Sequence, residues 1–153
     1  MDPFVRRFIR ASLLWLGVGV LLGLAMVLRP AWAGFRPAHL HATLLGFVSM
    51  MIFGVAYHVI PRFTGHPLHS RTLAATHLWV ANLGLAAMVS GFILRIYAYP
   101  AGSALLAAGG LLSTAGAFFF IYNLWRTLDE PPRKPSALPT RQPPAGAQPL
   151  AGR

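Results

Sequence analysis

Hydrophobic residues in this chain fall in four long blocks separated by short polar stretches, not in the alternation of a half-buried strand. The blocks run roughly over residues 8–28, 39–60, 75–97 and 102–125. Each holds about 20 residues, enough at 1.5 Å per residue to cross ~30 Å of hydrocarbon. The pattern predicts an all-α integral membrane protein. The connections at 29–38, 62–74 and 98–101 are short, so sequential helices are expected to be antiparallel neighbours in a four-helix up-down bundle. Pro37 sits at the first helical position of the second block, where its missing amide hydrogen costs nothing. Pro61 is expected to end that helix. From Glu130 onward the chain is rich in Pro, Ala and Gln with no apolar period, so residues 1–129 form the transmembrane domain and 130–153 a disordered tail.

Charge gives the blocks a direction. The chain carries a net charge of +10, which raises the question of nucleic acid. Its distribution answers otherwise. Arg6, Arg7, Arg10, Arg62, Arg71, Arg126, Arg133, Lys134, Arg141 and Arg153 fall on one side of an up-down bundle, and Arg29, Arg36 and Arg95 on the other. That is the bias of cytoplasmic loops, and it puts both termini in the cytoplasm of a bacterial-type inner membrane protein. Nucleic acid is not an expected partner; the lipid bilayer is. The first block is too long for a signal peptide and lacks a small-residue cleavage site, so it reads as a signal anchor. With no cysteine, disulfides, iron–sulfur clusters and thiolate zinc sites are excluded. The only acids are Asp2, Asp129 and Glu130, all outside the blocks, so no carboxylate relay lies within the bilayer.

At 100° per residue the second block separates into two faces. His39, Thr43, Gly46, Met50, Gly54 and Tyr57 share a stripe of small and polar residues. His41 lies opposite, with Leu45, Val48, Ile52, Val55 and Val59. Small residues line helix contacts in membranes and aliphatic ones face lipid. His39 is therefore expected to point into the bundle and His41 to sit among headgroups. In the third block His77, Ala81, Gly84, Met88, Gly91 and Arg95 form the matching stripe. Laid antiparallel, His39 meets Arg95 near the outer surface, and Tyr57 and His58 meet His77 near the inner one. Asn82, off the stripe, is expected to bond another helix. The aromatics Trp15, Trp32, Trp79, Tyr97, Tyr99 and Trp125 read as an interfacial belt.

Histidine inside a bilayer segment marks a functional site by default. A b-type heme needs a neutral imidazole on iron and cations for its propionates. His39 supplies the first, and Arg95 with Arg36 the second. Gly46 and Gly91 leave room for a flat macrocycle. The same residues also suit an interfacial histidine and a snorkelling arginine, and spacing alone leaves both readings open. Met50 and Met88 are candidate axial thioethers, or core filler. His58, His66, His69 and His77 cluster at the cytoplasmic side, where imidazoles can bind copper, zinc or a second heme, or serve simply as polar loop residues at an interface. Of these, His58 and His77 are the better pair because both lie on helices at one depth. His39 and His58 are about 28 Å apart along the helix, so one iron cannot use both.

Arg36-Pro37-Ala38-His39, then an apolar run, then Tyr57-His58-Val59-Ile60-Pro61-Arg62, resembles helix two of the catalytic subunit of heme-copper oxidases, closest to the C-family cytochrome oxidases and nitric oxide reductases. His77-Leu78-Trp79-Val80-Ala81-Asn82-Leu83-Gly84 resembles the opening of the following helix. The resemblance implies that His39 is an axial ligand of a low-spin heme b. It covers only the family's first helices. The family's second low-spin ligand, its high-spin heme ligand and its copper histidines come from later helices that have no counterpart here. Tyr57-His58 also replaces a more usual aromatic pair. The opening Met1 and the tail lead to the expectation of a whole chain rather than a fragment, and not of a complete oxidase or reductase. The chain is thus expected to be a small membrane b-type cytochrome for electron transfer or for sensing oxygen or nitric oxide. Its sixth ligand would come from the His39 of a second copy in a homodimer, from Met50 or Met88, or be absent. The alternative is a non-enzymatic accessory or assembly subunit of a respiratory oxidase, handling copper.

Overall fold

A computed structural model describes residues 1–129 of the chain. The expected tail at 130–153 lies outside the described residues. Helix α1 spans Pro3–Leu28, with Asp2 at its N-cap and a proline in its first turn. A short 3-10 helix, Pro30–Phe35, follows. Helix α2 covers Arg36–His41, a π-helical stretch Ala42–Ser49, and helix α3 Met50–Thr64. Helix α4 spans Arg71–Ile96 and α5 Ala101–Asp129. Four stretches, Pro3–Leu28, Pro30–Thr64, Arg71–Ile96 and Ala101–Asp129, are long and apolar enough to cross a membrane.

The second block is where the backbone departs most from expectation. Junction residues Ala42 and Met50 both keep right-handed helical angles, so α2, the π stretch and α3 form one continuous rod. Hydroxyls collect carbonyls that the wider turn leaves awkward. The Thr43 hydroxyl donates to the His39 carbonyl at 2.8 Å, and the Ser49 hydroxyl to the Leu44 carbonyl, five residues back, at 2.9 Å. In hydrocarbon such pairing is required, because no water can satisfy the groups. Pro61 does not end the rod. The helix runs through it to Thr64 and stops at Gly65, whose φ of +71° is the left-handed cap that glycine adopts without strain. A proline one turn before the end forfeits one amide bond, and a terminal turn tolerates that loss.

Glycines set how closely the helices approach. On α1, Gly19 faces Thr43; on α3, Gly54 faces Phe8 and Ile9 of α1. A side chain on Gly84 would meet the Ser113 backbone at 2.7 Å, and one on Gly91 the Leu106 backbone at 2.7 Å, so α4 and α5 touch main chain to main chain. Partner numbers fall along one helix as they rise along the other: Gly84 with Ser113, Gly91 with Leu106 and Gly102. Between them α1, α3, α4 and α5 enclose an aromatic core of Phe4, Phe8 and Tyr57, with Phe53 and Phe120 packed against it. Leu14, Leu21, Val27, Leu111 and Phe118 are exposed, as lipid-facing side chains should be.

The segment between α3 and α4 is tied down by α5. The Asn123 side chain accepts from the Ser70 amide at 2.9 Å and donates to the Ser70 carbonyl at 2.8 Å, while the Thr127 hydroxyl accepts from the His69 amide at 3.0 Å. Ser70 then caps α4 by accepting from the Leu73 amide.

Candidate functional site

His39 projects from α2 onto α1. Its Nδ1 lies 2.8 Å from the Gly19 carbonyl oxygen. A carbonyl only accepts, so the ring proton is on Nδ1 and Nε2 keeps its lone pair. The ring lies against Gly23, where an added Cβ would stand 3.1 Å from Cε1 and 3.3 Å from Nδ1. Both α1 glycines are thus needed: one lends its carbonyl, the other lacks a side chain. An imidazole pinned through one nitrogen by a backbone carbonyl, with the other free, is the arrangement metal-binding histidines use.

The companions expected for His39 are elsewhere. Arg95 is exposed at the end of α4, its stem over Gly102 of α5. No hydrogen bond or ring contact joins it to His39 among the described residues. Arg36 is exposed at the start of α2. Met50 is 1% exposed, in the core, eleven residues or about 16 Å along the rod from His39. The Met88 sulfur accepts from the Ser113 hydroxyl at 3.5 Å between α4 and α5. Neither thioether reaches the His39 ring as a partner. The space expected beside Gly46 is filled: an added Cβ there would meet the Trp15 side chain at 2.5 Å and Leu85 at 3.0 Å. Gly91 is likewise spent on α5. Small residues permit close approach, and here another helix has taken the room.

The His41 ring packs on Phe92 of α4, centroids 4.8 Å apart, and its Nδ1 approaches the Pro37 carbonyl of its own helix at 2.8 Å. Trp15 does not belong to a belt. It sits mid-helix, and its indole N–H donates to Asn82 Oδ1 at 3.1 Å, the interhelical bond expected of Asn82.

At the other end of the rod Tyr57 and His77 meet, with the phenol oxygen 3.0 Å from Nδ1. His77 is fully buried, boxed by Phe8, Phe53 and Phe120 at centroid distances of 5.0, 4.7 and 5.9 Å. His58 is not part of this pair. It turns outward, with Arg62 donating to its ring Nδ1 at 2.8 Å and to its carbonyl at 2.6 Å. His66 borders a crevice with Asp2, Tyr57, Arg62 and Arg71. The Arg71 guanidinium pairs with Asp2 at 2.9 Å. His69 packs on Tyr122, centroids 5.8 Å apart. Among the described residues no three of His, Cys, Asp and Glu group as metal ligands would.

No family model matches the chain. It is similar to the cbb3-type cytochrome c oxidase subunit CcoN1 of Stutzerimonas stutzeri, at 29% identity over 83% of this chain and 33% of that protein. It is similar to cytochrome c oxidase subunit 1 of Rhodobacter capsulatus, at 24% identity over 86% of this chain and 30% of the relative. A bacteroid homologue of subunit 1 from Bradyrhizobium diazoefficiens matches at 28% identity over 83% and 28%. The chain is a partial homologue of heme-copper oxidase subunit I. It spans about a third of the length of the relatives it matches. With its four apolar stretches, this subunit I homologue is a multi-pass membrane protein.

Subunit I kinship raises heme, and the residues present can be tested against it. His39 offers one oriented imidazole nitrogen with its proton parked on the other. The cavity beside His77 has a volume of about 60 Å³, far too small for a porphyrin. Of the expected site residues, His39 would hold such a group through one imidazole nitrogen, and the cavity beside His77 would not house it.

Proposed function

We propose that this subunit I homologue is a small membrane b-type cytochrome in which His39 Nε2 is an axial ligand to heme iron. The observation that carries the proposal is the 2.8 Å contact between His39 Nδ1 and the Gly19 carbonyl, which selects the tautomer iron requires. Heme, when bound, supplies one-electron chemistry and an affinity for diatomic gases. The chain's own residues hold the ring in place and shield one edge of it with α1. Because Met50 and Met88 are committed to the interior, any second protein ligand to the iron would come from another polypeptide: a second copy of this chain or a respiratory oxidase subunit. Ligation from outside means electron transfer; a vacant sixth position means oxygen or nitric oxide sensing. Arg36 and Arg95, exposed at the same end of the rod and of α4, are the cations available to propionates.

The topology belongs to the same proposal. The helices alternate across a bacterial inner membrane with both termini cytoplasmic. Support comes from the falling and rising partner numbers of neighbouring helices and from the arginine bias toward the ends near Arg6, Arg62 and Arg126. His39 then lies toward the outer surface.

The test is the absorption spectrum of the protein purified from cells supplied with heme. A reduced b-type α-band that is lost in His39→Ala and kept in His58→Ala is expected. A band unchanged in His39→Ala would remove His39 from iron.

A second reading, an accessory or assembly subunit of a respiratory oxidase, is favoured by the oxidase-subunit character of the relatives. It is distinguished by a colourless protein that co-purifies with oxidase subunits or copper.

A further inference from the structure

His77 has one nitrogen to spare. Tyr57 occupies Nδ1, while Nε2 is buried and has no hydrogen-bond partner in the protein. That ring is fully buried, and it lines a partly open cavity of about 60 Å³ together with Ser49, Met50, Ala81, Ser113 and Ala117. A buried polar group without a partner is rare enough to demand a ligand.

The groups around the cavity identify what that ligand must do. In the bond between the Tyr57 phenol and His77 Nδ1 either partner can donate, so Nε2 is left as an N–H donor in one tautomer and as a lone pair in the other. Ser49 and Ser113 line the same space, and both have spent their protons, on the Leu44 carbonyl and the Met88 sulfur. They offer oxygen lone pairs. The ligand must pair with Nε2 in whichever role the tautomer leaves it and donate to hydroxyl oxygen. It must also fit a volume that excludes a porphyrin or any other ring cofactor.

We propose that this cavity is a hydration site, in which water pairs with His77 Nε2 and with the hydroxyl oxygens of Ser49 and Ser113. Three polar partners and room for at least one molecule meet the requirements of a bound water, which can both donate and accept. A metal is disfavoured by the donor set, one imidazole, one thioether and two hydroxyls already committed elsewhere. The site joins Tyr57, His77 and water into one hydrogen-bonded chain. It starts at the polar crevice lined by Tyr57, Arg62, His66 and Arg71 and ends near Ala81, ten residues or about 15 Å into α4. Polar contact with one face thus reaches the middle of a helical bundle without any carboxylate. This inference is independent of heme at His39.

The experiment is magnetic resonance of the full chain, ¹⁵N-labelled at histidine, in detergent or bilayer. Expected is a magnetisation-transfer peak from water to the His77 ring. Ala117→Leu, which fills the cavity, should abolish the water peak and leave the Nδ1 signal, set by Tyr57, in place. Tyr57→Phe should move the Nδ1 signal and spare the water peak. A wild-type ring with no water transfer, or a shift that follows added copper, would each overturn the proposal.

Discussion

Replacing Gly23 tests whether α1 prepares His39 for a metal. The His39 ring lies against this glycine, and an added Cβ would stand 3.1 Å from Cε1 and 3.3 Å from Nδ1. Ordinary contact is 3.4–4 Å. In Gly23→Ala the ring must retreat by a few tenths of an ångström, which lengthens the 2.8 Å bond to Gly19 without breaking it. In Gly23→Val a branched side chain pushes further into the ring, and the bond to the carbonyl is lost. Loss of such an orienting bond costs about 10- to 100-fold in metal affinity. That is about 1.4–2.7 kcal/mol, at 1.4 kcal/mol per factor of ten. Titration of hemin into heme-free protein in detergent, followed by absorbance, gives the dissociation constant. The series should run wild type, then Gly23→Ala slightly weaker, then Gly23→Val 10- to 100-fold weaker, with His39→Ala showing no specific binding. Wild-type affinity in Gly23→Val, in a protein whose thermal unfolding is unchanged, would refute the claim that α1 orients the ligand.

Other consequences follow from the packing. Gly109→Leu should destabilise by about 1–3 kcal/mol, because its Cβ would meet the Gly84 carbonyl and Met88 amide at 2.6 Å and backbone cannot step aside. Gly110→Leu, with nothing within 4 Å, is the control and should be near neutral in the same thermal unfolding series. Asn123→Ala strips both partners from the Ser70 peptide groups and should cost about 1–3 kcal/mol, seen as faster proteolysis between α3 and α4. Trp15→Phe removes the indole bond to Asn82 and should cost about 0.6 kcal/mol, the average for such bonds in membranes, measured by denaturant or steric-trap unfolding. Asp2→Asn should change stability by less than about 1 kcal/mol, since the Arg71 partner is 74% exposed and solvent screens the pair.

Block length and hydrophobicity dictated four crossing segments, because the cost of unpaired backbone in hydrocarbon leaves helices as the only solution for such runs. The stripe from His39 to Tyr57 was legible for a related reason: residues without bulk or with polar tips cannot profitably face lipid, and Gly46, Gly54 and Tyr57 are indeed buried. The pairing of Tyr57 with His77 followed once the two stripes were laid antiparallel. What the residues alone could not supply was which neighbour each stripe faces. A period says that His39 points inward, but not that inward means α1 and the Gly19 carbonyl rather than α4 and Arg95. The π turn widens the rod from Ala42 to Ser49, so a uniform 100° wheel drifts across that stretch. Glycine is ambiguous by nature: it marks space, and only the assembled helices show that Trp15 and Leu106, not a macrocycle, fill the space beside Gly46 and Gly91. Asn123 carried no periodic signal at all, because its partner is the main chain of Ser70, and backbone partners leave no trace in side-chain pattern.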